Sequence, residues 1–183
     1  RGAGSRRPFG ERRGGRPARA VRLEAHGFTV DVPRGWDARI FRRAESDVPV
    51  PSAPDDEDVP QSGLTNPVVH LASFALPAVR GDYGSGAVDK MRADDVFIAL
   101  LEFGPESVGS ALFSGRGMPR FRAGEFSTST LQRPDKVRAG AQRFCVIADR
   151  AICCYVVVGS VTRRSALTPV VNRTLSNIVV AHA

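Results

Sequence analysis

The stretch Val96–Phe103 (VFIALLEF) constrains this chain more than any other. Seven of its eight side chains are apolar, so it is apolar on both faces. A surface helix or a half-exposed strand would show one polar face; this run shows none and reads as a buried central strand. No apolar run approaches the ~20 residues that cross a bilayer. A buried central strand needs partners on both edges and cover on both faces. The remaining sequence is therefore read for strands, turns and helices that supply them.

Phe28, Val30 and Val32 alternate with Thr29 and Asp31, the pattern of a half-buried strand. Pro33-Arg34-Gly35 is turn chemistry, Ala38–Arg42 reads as the strand returning from it, and Trp36 is expected to anchor the turn to the core. Val68–Leu76 is a further β region, followed by a Gly-rich turn at Gly81–Gly86. Ala87–Ala93 is a short helix candidate, with Val88 and Met91 on one face. Residues 104–124 are punctuated by Gly and Pro and read as a loop that Leu112, Phe113, Met118 and Phe121 pin to the core. Phe126–Leu131 alternates like a strand.

The last third carries the clearest signals. Gln142–Ala148 and Ala151–Gly159 flank Asp149-Arg150 as a β-hairpin. Thr168-Pro169 has the form of an N-cap followed by Pro at the first helical position. Leu167, Val171, Leu175 and Ile178 recur at helical spacing, so a C-terminal helix is expected to pack on the sheet. The fold class is α+β: a mostly antiparallel sheet packed by helices, in a single domain over residues 23–183.

Charge is distributed unevenly. Residues 1–22 hold eight arginines and one acid, which equals the whole formal net charge of +7, and the remainder carries 18 basic and 18 acidic side chains. The first 20 residues have no apolar period, and residues 1–22 read as a disordered Arg/Gly-rich tail. Arg6, Arg7, Arg12, Arg13, Arg16 and Arg19 form a candidate arm for nucleic acid or an anionic membrane, with one RGG-type box at Arg12–Arg16. Phe9 is the tail's single aromatic, and the competing reading is an extension without function. Residues 44–66 form a Pro-rich loop around Asp55-Asp56-Glu57-Asp58. That loop lacks the ligand spacing of a calcium site.

Motifs for chemistry are sparse. His26, His70 and His182 are scattered, with no metal-ligand spacing, and His70 lies in a strand-like run as a core or edge residue. Gly115-Arg116-Gly117-Met118-Pro119-Arg120 begins like a dinucleotide fingerprint but lacks the third Gly, and Pro119 sits badly for a following helix. Asp94-Asp95 is a candidate for Mg²⁺ or acid–base work, read first as a turn or cap. Asn172-Arg173-Thr174 matches a glycosylation sequon inside the expected helix and is read as chance. No catalytic, metal or cofactor residue is assigned.

The three cysteines give one geometric expectation. With Asp149-Arg150 at the turn, Cys145 and Cys154 oppose each other as a candidate cross-strand thiol pair, and Cys153 points to the other face. Two readings follow: a strained disulfide that needs an oxidising compartment, or two buried thiols packing as small hydrophobes.

The segments Phe28–Phe41, with its Pro-x-Gly-Trp turn, and Phe144–Ile178, a strand–strand–helix series, resemble the Mog1/PsbP-like fold. The chain is also similar to small proteins of GC-rich bacteria that share the GW segment and a Tyr-Val-Val-x-Gly-Ser strand, here Tyr155–Ser160. The resemblance implies an α/β/α sandwich and an adaptor role, since the group holds small-GTPase binders, extrinsic photosynthetic subunits and bacterial lipoproteins. The expected function is a non-enzymatic protein-interaction module with a protein partner. The alternative is a nucleic-acid-associated protein that binds through its arginine arm. A cytoplasmic location is expected, since no apolar leader follows the basic start.

Overall fold

A computed structural model describes residues 21–42, 66–133 and 135–182. Arg6, Arg7, Arg12, Arg13, Arg16 and Arg19, and the acidic cluster of the 44–66 loop, lie outside the described residues.

Two sheets share one core. The larger has six strands: β3 (Asp37–Arg42), β4 (Pro67–Ala72), β5 (Val96–Glu102), β8 (Arg150–Val158), β7 (Ala139–Ile147) and β6 (Gly115–Arg116), in that spatial order. All pairs are antiparallel except β6 with β7. The expected central strand is β5, seated between β4 and β8. Every residue of β4 and β8 is buried, as two-sided cover demands. The smaller sheet has the order β1 (Val21–Ala25), β2 (Phe28–Val32), β9 (Ile178–Val180).

One face of the large sheet, built on Val69, Leu71, Ile98, Leu100, Ile152 and Val156, meets the small sheet and helix α1 (Arg164–Leu175). Phe28 and Val30 enter this core from β2, and Leu167, Val171 and Leu175 enter from one face of α1. The opposite face carries Val68, Phe97, Leu101, Tyr155 and Val157. Irregular chain covers it, through Phe74, Leu76, Tyr83, Met91 and Leu131. The chain is thus α+β with one α-helix among the described residues. On the second face, the layer that a sandwich would fill with helix is filled by turns.

Several expectations are corrected. Phe28–Val32 and Ala38–Arg42 do not pair: β2 pairs with β1 and β9, and β3 pairs with β4. Pro33–Gly35 therefore carries the chain between sheets, and half-buried Trp36 packs beneath that crossing. The Ala87–Ala93 helix is only a 3₁₀ turn at Val88–Lys90. The Phe126–Leu131 strand is a single bridge, Ser127 with Gly140, followed by a 3₁₀ turn at Thr128–Thr130.

Thr168 does not cap the C-terminal helix. The helix starts at Arg164, Pro169 lies inside it, and the Thr168 hydroxyl donates to the Arg164 carbonyl at 2.7 Å. As the sixth helical residue Pro169 forgoes a hydrogen bond to the Ser165 carbonyl, a cost offset by the burial of Leu167 and Val171 on either side of it. Ile178, expected to continue the helix, instead opens β9.

The β7–β8 turn is Ala148-Asp149, one residue earlier than expected, with φ of 50° and 61°. Arg150 is thereby drawn into β8 as a buried strand residue. Its guanidinium ion-pairs with Glu102, donates to the His26 carbonyl at 2.8 Å and lies 4.4 Å over the Phe28 ring. Those contacts outweigh the ~1–2 kcal/mol that a left-handed alanine costs. The cysteine register moves with the turn: Cys145 opposes Ile152 and Cys154 opposes Arg143. Cys145 and Cys154 share a face but stand diagonally, not opposite, and all three cysteines are free thiols.

Candidate functional site

The site grows from the loop between β5 and β7, which the core holds at two points. Phe113 is buried against the rings of Phe103 and Phe144, with centroids at 5.2 and 5.3 Å. Phe121 is buried beside Phe126. The Asn172 side chain of α1 clasps the backbone of Phe121: its Oδ1 accepts from the Phe121 N–H at 2.9 Å, and its Nδ2 donates to the Phe121 carbonyl at 3.0 Å. The sequon asparagine is therefore a latch between helix and loop.

Between these anchors the chain runs along the outer edge of β7. β6 pairs there in parallel, and the Gly117 N–H donates to the Val146 carbonyl at 2.9 Å. Gly115 must lack a side chain, since a Cβ would stand 2.8 Å from the Phe144 carbonyl oxygen. The Gly-Arg-Gly run is thus an edge strand. Its next element is a 3₁₀ turn at Ala123–Glu125, not the helix a dinucleotide site requires.

Loop, 3₁₀ turns and sheet edge enclose a groove of about 700 Å³, lined by Arg116, Pro119, Arg120, Thr130, Gln142 and Arg143 among others. A second hollow of about 530 Å³ lies against α1, lined by Met118, Pro169 and Arg173, and shares Pro119 and Arg120 with the first. Four arginines border the two hollows: Arg116, Arg120, Arg143 and Arg173. They face a single acid, Glu125. Glu125 is held by Arg143, at 2.8 and 3.1 Å, and that hydrogen-bonded pair pushes the Arg143 pKa further up. Arg116, Arg120 and Arg173 have no ion-pair partner among the described residues, and all three are exposed.

The floor of the groove has an unpaired piece of sheet edge. Gly140 exchanges both main-chain hydrogen bonds with Ser127, so its N–H and C=O point away from β8. Gln142, two residues along, repeats that orientation by the strand alternation. No described residue pairs with Gln142 on that side.

The other sequence candidates are drawn into structural roles. Asp95 accepts from the Ser73 hydroxyl at 3.1 Å and from the Arg92 N–H at 2.7 Å, closing the turn before β5. Asp94 reaches out to Arg163 at 2.6 Å. His70 is fully buried between the rings of Phe41 and Phe97, each centroid 5.1 Å away. Its Nε2–H donates to the Asp82 carbonyl at 2.7 Å, and its Nδ1 accepts from Arg80 Nε at 2.9 Å. Burial drives its pKa down to about 4; the hydrogen bond to Asp82 opposes the shift and the Arg80 charge adds to it.

Burial raises all three thiol pKa values, Cys145 to about 11, so each is protonated at neutral pH. His182 and Asp149 meet at the surface at 3.1 Å. Among the described residues, no group of three His, Cys, Asp or Glu side chains is placed to hold a metal ion, and no helix is long and apolar enough to cross a membrane.

Charge counting along the chain missed this groove. Residues 21–42 and 66–182 carry 18 basic and 12 acidic side chains, an excess hidden by the acids of the intervening segment. The usable signal was local: Arg116, Arg120 and Arg122 lie in a loop without an acid between Glu106 and Glu125. The chain matches no family model, and comparison with curated proteins and with solved structures found no significant similarity.

Proposed function

We propose that the chain is a non-enzymatic protein-interaction module whose partner docks in the arginine-lined groove beside β7. The observation that carries this reading is the combination at that edge: exposed arginines without an ion-pair partner among the described residues, bordering main-chain groups of Gln142 that no described strand pairs. Sheet edges left open in this way are sites where another chain adds a strand. The resemblance to Mog1/PsbP-like adaptors supports the same class of function. Among the described residues, Asp95 and His70 are engaged in a turn and in core contacts.

The test is affinity capture from a nuclease-treated lysate of the source cells. The baits are the full chain and the full chain carrying Arg116→Glu and Arg120→Glu. A protein held stoichiometrically by the first bait and lost from the second supports the reading. A partner retained by both places the interface elsewhere. Material released by nuclease transfers the function to nucleic acid binding through the arginine arm.

A further inference from the structure

We infer that the groove takes an extended, acidic polypeptide segment, which adds to the β7 edge at Gln142 and lays its carboxylates against Arg116, Arg120 and Arg173. The inference rests on the protein-docking reading above and names the chemistry of what docks.

The argument begins with what an exposed arginine can do alone. One surface pairing with a carboxylate contributes about 0–1 kcal/mol, too little to hold a small anion against water. Affinity at this site therefore needs several charges on one ligand, with main-chain hydrogen bonds added. The geometry supplies both. Gln142 offers an N–H and a C=O in strand orientation, and Arg116, Arg120 and Arg173, without ion-pair partners among the described residues, line two hollows that meet at Pro119 and Arg120. Arg143 contributes little new attraction, because Glu125 already neutralises it.

An extended chain fits this layout better than a single-stranded nucleic acid does. Binding of unpaired bases relies on exposed aromatic rings for stacking. No described Phe, Tyr or Trp is exposed. The nearest ring, Phe144, is half-buried and held by the edges of Phe103 and Phe113. An acidic strand asks only for the cations and the open edge that are present. Acidic side chains on alternate residues point to one side of a strand, so one face of the ligand meets the arginines while its backbone meets Gln142.

The experiment is a titration of the ¹⁵N-labelled full chain with an alternating Glu–Val peptide of about eight residues. The parallel probes are the Gln–Val counterpart and an oligothymidylate. Saturable amide shifts are expected at Gly115, Gly117 and Gln142 with the Glu–Val peptide. The Gln–Val peptide should bind about tenfold more weakly, and added salt should weaken the Glu–Val complex. In the chain carrying Arg116→Glu and Arg120→Glu, those shifts should vanish while the dispersed spectrum of the fold remains.

Equal binding of the Gln–Val peptide overturns the acidic preference and leaves the docking groove standing. Groove shifts with oligothymidylate but not with the peptide overturn the polypeptide assignment. Absence of groove shifts, alongside a partner captured through Arg116 and Arg120, overturns this inference alone. No partner on the unsubstituted chain, or one retained when Arg116→Glu and Arg120→Glu are present, overturns the docking reading itself.

Discussion

Acidification should destabilise this fold well before its carboxylates titrate, and His70 is the reason. Its ring is neutral because both nitrogens are committed: Nε2–H to the Asp82 carbonyl, and Nδ1 to the Arg80 guanidinium. Burial penalises the charged ring, and a proton on Nδ1 would also expel the Arg80 hydrogen bond and bring two cations together. The folded pKa therefore lies at about 4 against an ordinary 6.5, chiefly through burial and secondarily through Arg80. The sign follows directly. Between those two values the unfolded chain binds the proton and the native chain does not, so stability falls as pH drops through that window.

At 1.36 kcal/mol per unit, the full difference is about 3.4 kcal/mol. Roughly 1.8 kcal/mol of it should be lost between pH 7 and about pH 5, and roughly 3 kcal/mol by about pH 4. Urea titrations at each pH measure this directly. The same series on His70→Leu separates the histidine from other groups: the variant is less stable at neutral pH, but its curve should be flatter from pH 7 to about pH 5. An imidazole NMR titration of the wild type should show the Nε2–H tautomer and a midpoint near 4. A midpoint near 6, or parallel pH curves for the two proteins, would refute the reasoning.

Four further outcomes follow from the packing. Glu102→Ala leaves the buried Arg150 cation without its carboxylate, and should cost about 3–5 kcal/mol in chemical denaturation. Ala148→Asn suits the left-handed turn better than alanine does, and should stabilise the fold by about 0.5–1 kcal/mol, read as a higher Tm. Gly159→Ala would set a Cβ 1.8 Å from the Arg92 carbonyl oxygen, where the backbone must move, and should cost about 1–3 kcal/mol or more. Asn172→Ala removes both hydrogen bonds to Phe121 and should cost about 1–3 kcal/mol, with faster amide exchange in residues 114–122 as the distinguishing readout.

What the chain reveals in advance is its local periodicity: unbroken apolar runs, two-residue alternation and helical spacing. Val96–Phe103 reads as a central strand because no partner is needed to recognise apolar cover on both faces. The same holds for Leu167, Val171 and Leu175 on α1. Pairing is harder, because alternation marks a strand without naming its neighbour. β2 and β3 are therefore legible as strands, while their separation into two sheets is not.

The hairpin turn shows the limit most clearly. Asp149-Arg150 is the better local turn, yet a buried ion pair with Glu102, 48 residues away in sequence, decides the register. The Thr168-Pro169 signal fails for a related reason: Leu167 is already buried against the sheet and brings the preceding turn with it. β1 was legible in part, since Val21, Leu23 and Ala25 alternate with Arg22 and Glu24, but the charge of the adjoining tail masked its start. The groove arginines come together only through the Phe113, Phe121 and Asn172 anchors, which no spacing rule encodes.

The central claim is that a protein partner seats beside β7, and site-specific photo-crosslinking tests it most directly. A photoreactive residue replaces Thr130, which lines the groove, or Arg34, which is exposed at the turn between β2 and β3. Each full chain is irradiated in lysate from the source cells. The account predicts a discrete protein adduct from position 130, absent from position 34 and suppressed by Arg116→Glu with Arg120→Glu. An adduct from position 34 that persists with those substitutions, with none from position 130, would contradict it.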